Sequence, residues 1–171
     1  MKNTFKHIYT LLAVVAVGFL SSCEYDPAEP ALEIANGAGT LTTYKAYTLD
    51  SIAGQNTEVY GKVVFWKSLD NKTLVQISLY NISESAEHAS AILSGAFMTG
   101  GTELMSLYTI TNTGEGYDFG EFSTSKFYII DDAAFFEELD TYDASIQIFM
   151  SPTDNTVISG GDIGLNADPV E

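Results

Sequence analysis

Alternation of apolar and polar residues with a period of two is the feature that most constrains the fold of this chain. The clearest run sets three apolar residues against two polar ones: Val75, Ile77 and Leu79 against Gln76 and Ser78. This spacing is typical of a half-buried β-strand, so we expect the apolar three to be buried and the polar two to lie on the wetter face. Residues 59–66 form a second β-rich run, and Asp70-Asn71-Lys72 between the two supplies turn residues, which together predict a β-hairpin.

Similar runs recur from residue 41 onward, separated by clusters of Gly, Asn, Asp and Ser. Further strands are predicted at 42–49, 89–97, 104–111, 117–122, 126–130, 144–150 and 156–159. One short segment is helical in character, because Asp131-Asp132 offers an N-cap to the residues 133–139. Eight or nine short strands at regular spacing predict an all-β fold, a single antiparallel β-sandwich of the Ig-like, Greek-key type, with one short helix before the penultimate strand.

The first 22 residues have the composition of a cleaved export signal. Lys2 and Lys6 precede Ile8–Leu20, an uncharged run of 13 residues that is too short to span a hydrocarbon core of ~30 Å as a helix. The run ends in Leu20-Ser21-Ser22-Cys23, and this cysteine is the only one in the chain. The motif resembles the bacterial lipobox, which implies cleavage between Ser22 and Cys23, a diacylglyceryl group on the thiol and an N-acyl chain such as palmitate. An ordinary secretory peptide with a chance cysteine is the alternative.

Residues 23–40 are predicted to form a lipid-anchored acidic linker, and residues 41–171 a single domain. The linker holds two of the four prolines and four carboxylates, a composition that disfavours a packed core. Glu24 follows the cysteine in place of the Asp that often retains lipoproteins at the inner membrane. The acidic cluster is similar to the export tag of surface lipoproteins in the Bacteroidota, so we expect an outer membrane lipoprotein that faces the periplasm or the cell surface. A solvated acidic tether would look the same.

Charge and cysteine content exclude several classes of function. The chain has 7 Lys+Arg, all of them lysine, against 23 Asp+Glu, which gives a formal charge of -16. Removal of the signal would take two lysines and leave 5 − 23 = -18. Such a surface repels nucleic acid and lacks the arginine forks that bind phosphate. One cysteine allows no internal disulfide and no thiolate cluster.

Few residues offer catalytic or metal-binding chemistry. His88 is the one imidazole beyond the signal, and its nearest carboxylates, Glu84 and Glu87, fit a polar turn better than a metal site. Asp131-Asp132 with Glu137-Glu138 could act as a glycosidase pair, although acidic residues beside a short helix usually cap it. The stretch 151–155 could offer oxygens to calcium but lacks the spacing of a calcium loop, which favours a turn. We therefore expect no metal, no cofactor and no catalytic residue.

Aromatic residues are abundant, with 10 Tyr, 10 Phe and Trp66 in the chain. Most of them fit a sandwich core and cross-strand pairs. The functional alternative is an aromatic binding face, for which Tyr117, Phe119 and Phe122 are the candidates.

Several segments between residues 47 and 166 follow the order of a known family. They are Gly61-Lys62-Val63-Val64-Phe65, 71–79, Phe135-Phe136-Glu137-Glu138-Leu139, 142–151 and Gly161-Asp162-Ile163-Gly164-Leu165-Asn166. Together they resemble the chordin-type CHRD domain, in the version found in lipoproteins of the Bacteroidota. The resemblance implies an extracellular β-sandwich module without an assigned activity.

The chain departs from this family at its histidines. The family usually shows His-x-x-His-x-His, and a further His in the strand before a Ser-x-x-Asp turn. His88 matches the first histidine, whereas Ala91, Leu93 and Phe149 stand at the other three positions. The resemblance implies that these three residues lie close together on neighbouring strands, as packed hydrocarbon in place of a metal-competent cluster.

These observations predict a membrane-anchored extracytoplasmic lipoprotein with a non-catalytic binding or scaffold module. Its expected partners are the membrane, through the lipid anchor, and an extracellular protein or glycan, but not nucleic acid. The alternative is a lipid-anchored glycan hydrolase that uses paired carboxylates. A hydrolase needs two carboxyl groups about 5–10 Å apart along a cleft, and a binding module does not.

Overall fold

The computed structural model describes residues 41–54, 58–113 and 124–170. The ten strands of this part of the chain are β1 Tyr44–Ser51, β2 Tyr60–Lys67, β3 Thr73–Tyr80, β4 Glu87–His88, β5 Ser90–Ser94, β6 Glu103–Ser106, β7 Ile110–Thr111, β8 Thr124–Ile130, β9 Asp143–Ser151 and β10 Asp154–Gly164. The helix α1, Phe135–Glu138, runs directly into a 3₁₀ turn, Leu139–Thr141. Among these residues no helix is long and apolar enough to cross a membrane.

Eight strands form one curled sheet in the order β6-β5-β9-β10-β1-β2-β3-β8, and β4 pairs with β7. Every strand pair in the described part is antiparallel. Strand β1 joins the two halves of the sheet, because its residues 44–49 pair with β2 while Asp50 and Ser51 pair with β10. The prediction of an all-β antiparallel fold with a single short helix before the penultimate strand is therefore confirmed.

A single apolar core fills the inside of the curled sheet. Its fully buried members come from both halves, and the largest are Tyr47, Phe65, Leu49, Leu79, Ile110, Leu139, Ile146, Ile148, Ile158 and Ile163. Val75, Ile77 and Leu79 are all buried, as the alternation predicted. The prediction for Ser78 is wrong: this residue is 3% exposed, because its hydroxyl is covered where it bonds to the Ser125 hydroxyl at 2.7 Å.

Some predicted boundaries need correction. The run 104–111 is divided between β6 and β7, and the short strand predicted at 156–159 is the middle of the longer β10. The predicted strand 117–122 lies outside the described residues. The N-cap of α1 is Ala134 and has no side-chain cap; Asp132 instead accepts the backbone N–H of Ala134 at 2.9 Å, in the turn just before the helix.

The connections between strands gather at two opposite ends of the sheet. At the first end the chain enters through residues 41–43, β2 turns into β3 at 68–72, and α1 leads into β9. Val170, the last described residue, also lies there, since it pairs with Ala46. The second end carries the residues 81–86 after β3 and the turn between β9 and β10. We call these the entry end and the far end.

Candidate functional site

A cavity of about 560 Å³ opens at the far end of the sheet. Its walls are Asn81, Ser83 and residues 85–88, which follow β3, and residues 150–153, which are the end of β9 and the turn into β10, with Val59 just before β2. This volume lies in the range of ~300–1,000 Å³ that is usual for small-molecule sites. Two segments that the sequence analysis assessed separately, the His88 segment and the stretch 151–155, therefore meet in one site.

His88 is held in a defined tautomer at the cavity wall. The residue is 6% exposed, and its ring nitrogen Nδ1 lies 3.0 Å from the backbone oxygen of Phe149. A carbonyl oxygen only accepts hydrogen bonds, so Nδ1 carries the proton and donates it. In the neutral ring this leaves Nε2 as an acceptor.

The loop after β3 is held in place by hydrogen bonds to the backbone. Asn81 and Ser85 both adopt left-handed backbone conformations, with φ of 57° and 64°, which non-glycine residues rarely adopt. Asn81 donates its side-chain amide to the oxygen of Glu58 at 3.1 Å, and the backbone N–H of Ser85 donates to Asn112 at 2.8 Å. Asn112 in turn donates its own N–H to Ala86 at 3.1 Å, so this wall of the cavity is fixed on both sides.

The stretch 151–155 is the turn between β9 and β10, as predicted. The Ser151 hydroxyl accepts the backbone N–H of Thr153 at 3.2 Å and lies 3.2 Å from the Thr153 hydroxyl. Asp154 accepts the backbone N–H of Thr156 at 2.9 Å, and hydrogen bonds from Thr156 lower the pKa of this carboxyl. The oxygens of this stretch therefore stabilise the turn itself.

The acidic residues considered as a glycosidase pair lie at the entry end, away from the cavity. Each of the four has a local partner: Asp131 the ammonium of Lys72 at 3.3 Å, Asp132 the N–H of Ala134, Glu137 the ammonium of Lys67, and Glu138 the hydroxyl of Tyr142 at 3.3 Å. The hydrogen bond and the charge of Lys67 lower the pKa of Glu137. These contacts are those of capping and surface ion pairs.

Metal ligands do not converge in the part of the chain that the structure describes. No group of three or more His, Cys, Asp or Glu residues comes together there. His88 and Glu87 both line the cavity, whereas Glu84 does not. Two potential ligands are fewer than a stable transition-metal site uses.

The three substituted histidine positions of the resemblance do not form one cluster. Strand β5 pairs with β9, and this register sets Ala91 opposite Gln147 and Leu93 opposite Ser145. Phe149 lies further along, where its N–H donates to the oxygen of Ala89 at 2.9 Å. Leu93 and Phe149 are thus four residues apart along the ladder, about 13 Å at ~3.3 Å per residue. The expected close packing of Phe149 with Leu93 is wrong.

Other candidate residues lie outside the described ranges: Ser22, Cys23, Tyr117, Phe119 and Phe122. Two aromatic pairs that the sequence analysis did not identify lie on neighbouring strands instead. Tyr44 of β1 and Trp66 of β2 have ring centroids 4.9 Å apart, and Tyr60 and Tyr80 are stacked at 4.6 Å. These pairs join strands of one half of the sheet, which is the structural role expected for most aromatic residues here.

The polar wall formed by Asn81, Ser83 and Ser85 was not predicted from the sequence. The available signal was a run of small polar residues directly after a strongly alternating strand, in Asn81-Ile82-Ser83-Glu84-Ser85. The chain matches no family model, no curated protein and no solved structure. The resemblance to the CHRD domain therefore stays a prediction from sequence pattern.

Proposed function

We propose that the protein is a membrane-anchored extracytoplasmic lipoprotein whose β-domain is a non-catalytic binding module, with the far-end cavity as its ligand site. The observation that carries this proposal is the position of the cavity relative to the chain entry. The chain enters the domain through residues 41–43 at one end of the sheet, and the cavity opens at the opposite end. A lipid attached before residue 41 would therefore tether the domain by the end opposite the cavity.

The proposed anchor is Cys23, with the outer membrane as the expected location. Eighteen residues, Cys23 to Thr40, separate it from the domain. At ~3.3–3.6 Å per residue this segment reaches at most about 60 Å when extended. Acyl chains contribute ~0.8 kcal/mol for each buried CH₂ group, so a lipid with two or three chains would hold the protein firmly on the membrane.

Binding is supported over hydrolysis by the placement of the carboxylates. Among the described residues that line the cavity, Glu87 is the only acidic one. A glycosidase uses two carboxyl groups on either side of the bond that it cleaves. The paired acidic residues 131–132 and 137–138 lie at the other end of the sheet and bond to neighbours there.

The anchor is tested by labelling cells with a fatty-acid probe. The wild-type protein should carry the label and sediment with membranes, whereas Cys23→Ser should carry none, because the chain has no other thiol. Label that persists in the Ser variant would refute the lipobox interpretation.

The orientation is tested with two single-cysteine additions in the lipidated protein. Thr153→Cys places a thiol at the far end and Leu69→Cys places one at the entry end, and both positions are exposed. On vesicles, a bulky maleimide polymer should modify position 153 faster than position 69. In protein released by detergent the two rates should converge. Equal rates on vesicles would contradict a cavity that faces away from the membrane.

A further inference from the structure

Three side chains of the far-end cavity present acceptor atoms, beside hydroxyls that both donate and accept. The Nδ1–H of His88 donates to the backbone oxygen of Phe149, and one of the two amide N–H groups of Asn81 donates to the backbone oxygen of Glu58. These bonds leave His88 Nε2 and Asn81 Oδ1 as the acceptors of the two side chains. The carboxylate of Glu87, which also lines the cavity, is acceptor-only when ionised. A ligand that satisfies such groups must supply several donors.

The charge of the protein disfavours anionic ligands in this cavity. No lysine lines the cavity among the described residues, and the chain has no arginine and a formal charge of -16. A carboxylate, sulfate or phosphate would bring only acceptors, and it would approach an acidic surface without a cation to pair with.

The lining also favours a ligand whose donors are hydroxyl groups over a ligand with an ammonium group. No aromatic ring borders the described cavity, so the cation–π contacts that hold quaternary ammonium groups are missing. The Glu87 carboxylate belongs to an exposed residue, where an ion pair contributes little. Ser83 and Ser85 add hydroxyls that both donate and accept, which matches a ligand whose own groups do the same.

The cavity lining also has an apolar part. Val59, Ala86, Met150 and Pro152 supply aliphatic surface beside the hydroxyls. A pyranose ring presents C–H groups on its faces and hydroxyls around its edge, so it can cover these aliphatic groups while it donates to the surrounding acceptors. A cavity of about 560 Å³ has room for a small saccharide.

We propose that the far-end cavity binds a neutral saccharide, whose hydroxyls donate to His88 Nε2, Asn81 Oδ1 and the Glu87 carboxylate. This inference rests on the proposed function, because it names the ligand class of the same site. It requires neither a metal nor any bond-making step.

The direct test uses the mature chain and probes of three charge classes. Neutral sugars (glucose, galactose, mannose, N-acetylglucosamine and their common disaccharides) are compared with gluconate as the anion and choline as the cation. Saturation-transfer NMR detects the bound ligand. His88 is the only imidazole beyond residue 22, so its ring proton resonances report occupancy of the cavity. We expect at least one neutral sugar to bind at millimolar concentration and to shift the His88 resonances, while gluconate and choline do neither.

Variants place the bound sugar in the cavity. Ser83→Ala removes one hydrogen bond and Glu87→Gln replaces a charged acceptor by a neutral one, so each should weaken sugar binding about 3- to 10-fold. Glu137→Gln makes the same charge change as Glu87→Gln at the entry end and should leave the affinity unchanged. His88→Asn should abolish or strongly weaken binding, and the exposed Glu87 variant keeps the test decisive if His88→Asn does not fold.

The outcomes separate this inference from the proposed function. Binding of gluconate or choline without any sugar would overturn the saccharide and keep the cavity as a ligand site. Sugar binding that Glu87→Gln and Ser83→Ala leave intact would overturn the assignment of the sugar to this cavity. No response from any of the probes would refute the saccharide proposal. The lipid anchor of the proposed function is tested separately, by the labelling of Cys23→Ser.

Discussion

Truncation of Leu79 tests the core of the domain at a point where β3 packs against a glycine of β2. Leu79 is 0% exposed and pairs with Gly61 across the two strands. Its Cδ2 atom lies 3.0 Å from the place that a Cβ of Gly61 would occupy, so the leucine packs directly against the glycine, beside the backbone of Ser78. Leu79→Ala removes three carbons, about 2.4 kcal/mol at ~0.8 kcal/mol each. Because Gly61 has no side chain to move into the gap, the cavity adds to this, and the total should be about 3–5 kcal/mol.

Chemical denaturation followed by far-UV circular dichroism measures this loss in the free energy of unfolding. The matched control is Leu69→Ala in the turn between β2 and β3, where the leucine is 71% exposed. The control should change the free energy of unfolding by less than ~0.5 kcal/mol. If Leu79→Ala lowers the free energy of unfolding by less than ~1 kcal/mol with an unchanged denaturant slope, Leu79 is not packed in the core as described, because truncation of a fully buried leucine costs more than this.

Three further predictions concern an ion pair, a close backbone contact and metal binding. Lys67→Met should return the pKa of Glu137 from its lowered value toward the ordinary range in an NMR titration, and an unchanged pKa would show that Lys67 is not the cause. The ion pair stabilises the fold at pH values above the pKa that Glu137 has in the unfolded chain, and this stabilisation is lost as the pH falls through the pKa of Glu137 in the folded protein. Gly161→Ala should cost more than ~2 kcal/mol in denaturation, because the new Cβ would lie 2.1 Å from the backbone oxygen of Thr48, whereas Gly54→Ala meets nothing within 4 Å and should cost only the ~1–2 kcal/mol of its positive φ. Protein dialysed against excess zinc or copper should retain less than one ion per chain by elemental analysis, and one tightly held ion would contradict this.

Local features of the fold were predictable from the sequence, because their cause is local. The β2–β3 hairpin follows from two alternating runs and a short polar turn, and Asn71 in that turn adopts the positive φ of 61° that asparagine tolerates. The alternation alone predicts that Val75, Ile77 and Leu79 of β3 face the core. Ser78 is the exception: its burial depends on Ser125, a residue of another strand 47 positions away, which no pattern within β3 reveals.

The candidate site was not predictable in the same way, because it is assembled from distant segments. His88 and the turn 151–153 were each noted in the sequence, but only the pairing of β5 with β9 and of β9 with β10 brings them to one end of the sheet. The same register separates Leu93 from Phe149, against the expectation from the family resemblance. A register shift of two residues keeps every side chain on its own face of the sheet, so alternation cannot predict which positions lie opposite each other.

The antiparallel arrangement places the proposed anchor and the proposed binding site at opposite ends of one small domain. Strand β1 begins at the entry end and β10 finishes there, and Val170 is bound back to Ala46 by a backbone hydrogen bond of 2.7 Å. Both described ends of the chain therefore lie at the entry end, and the far end consists of connections between strands. Six residue pairs join β1 residues 44–49 to β2. The loops that form the cavity lie at the other end of those strands, so the length of the strands separates the proposed ligand site from the residues at which the chain enters the domain.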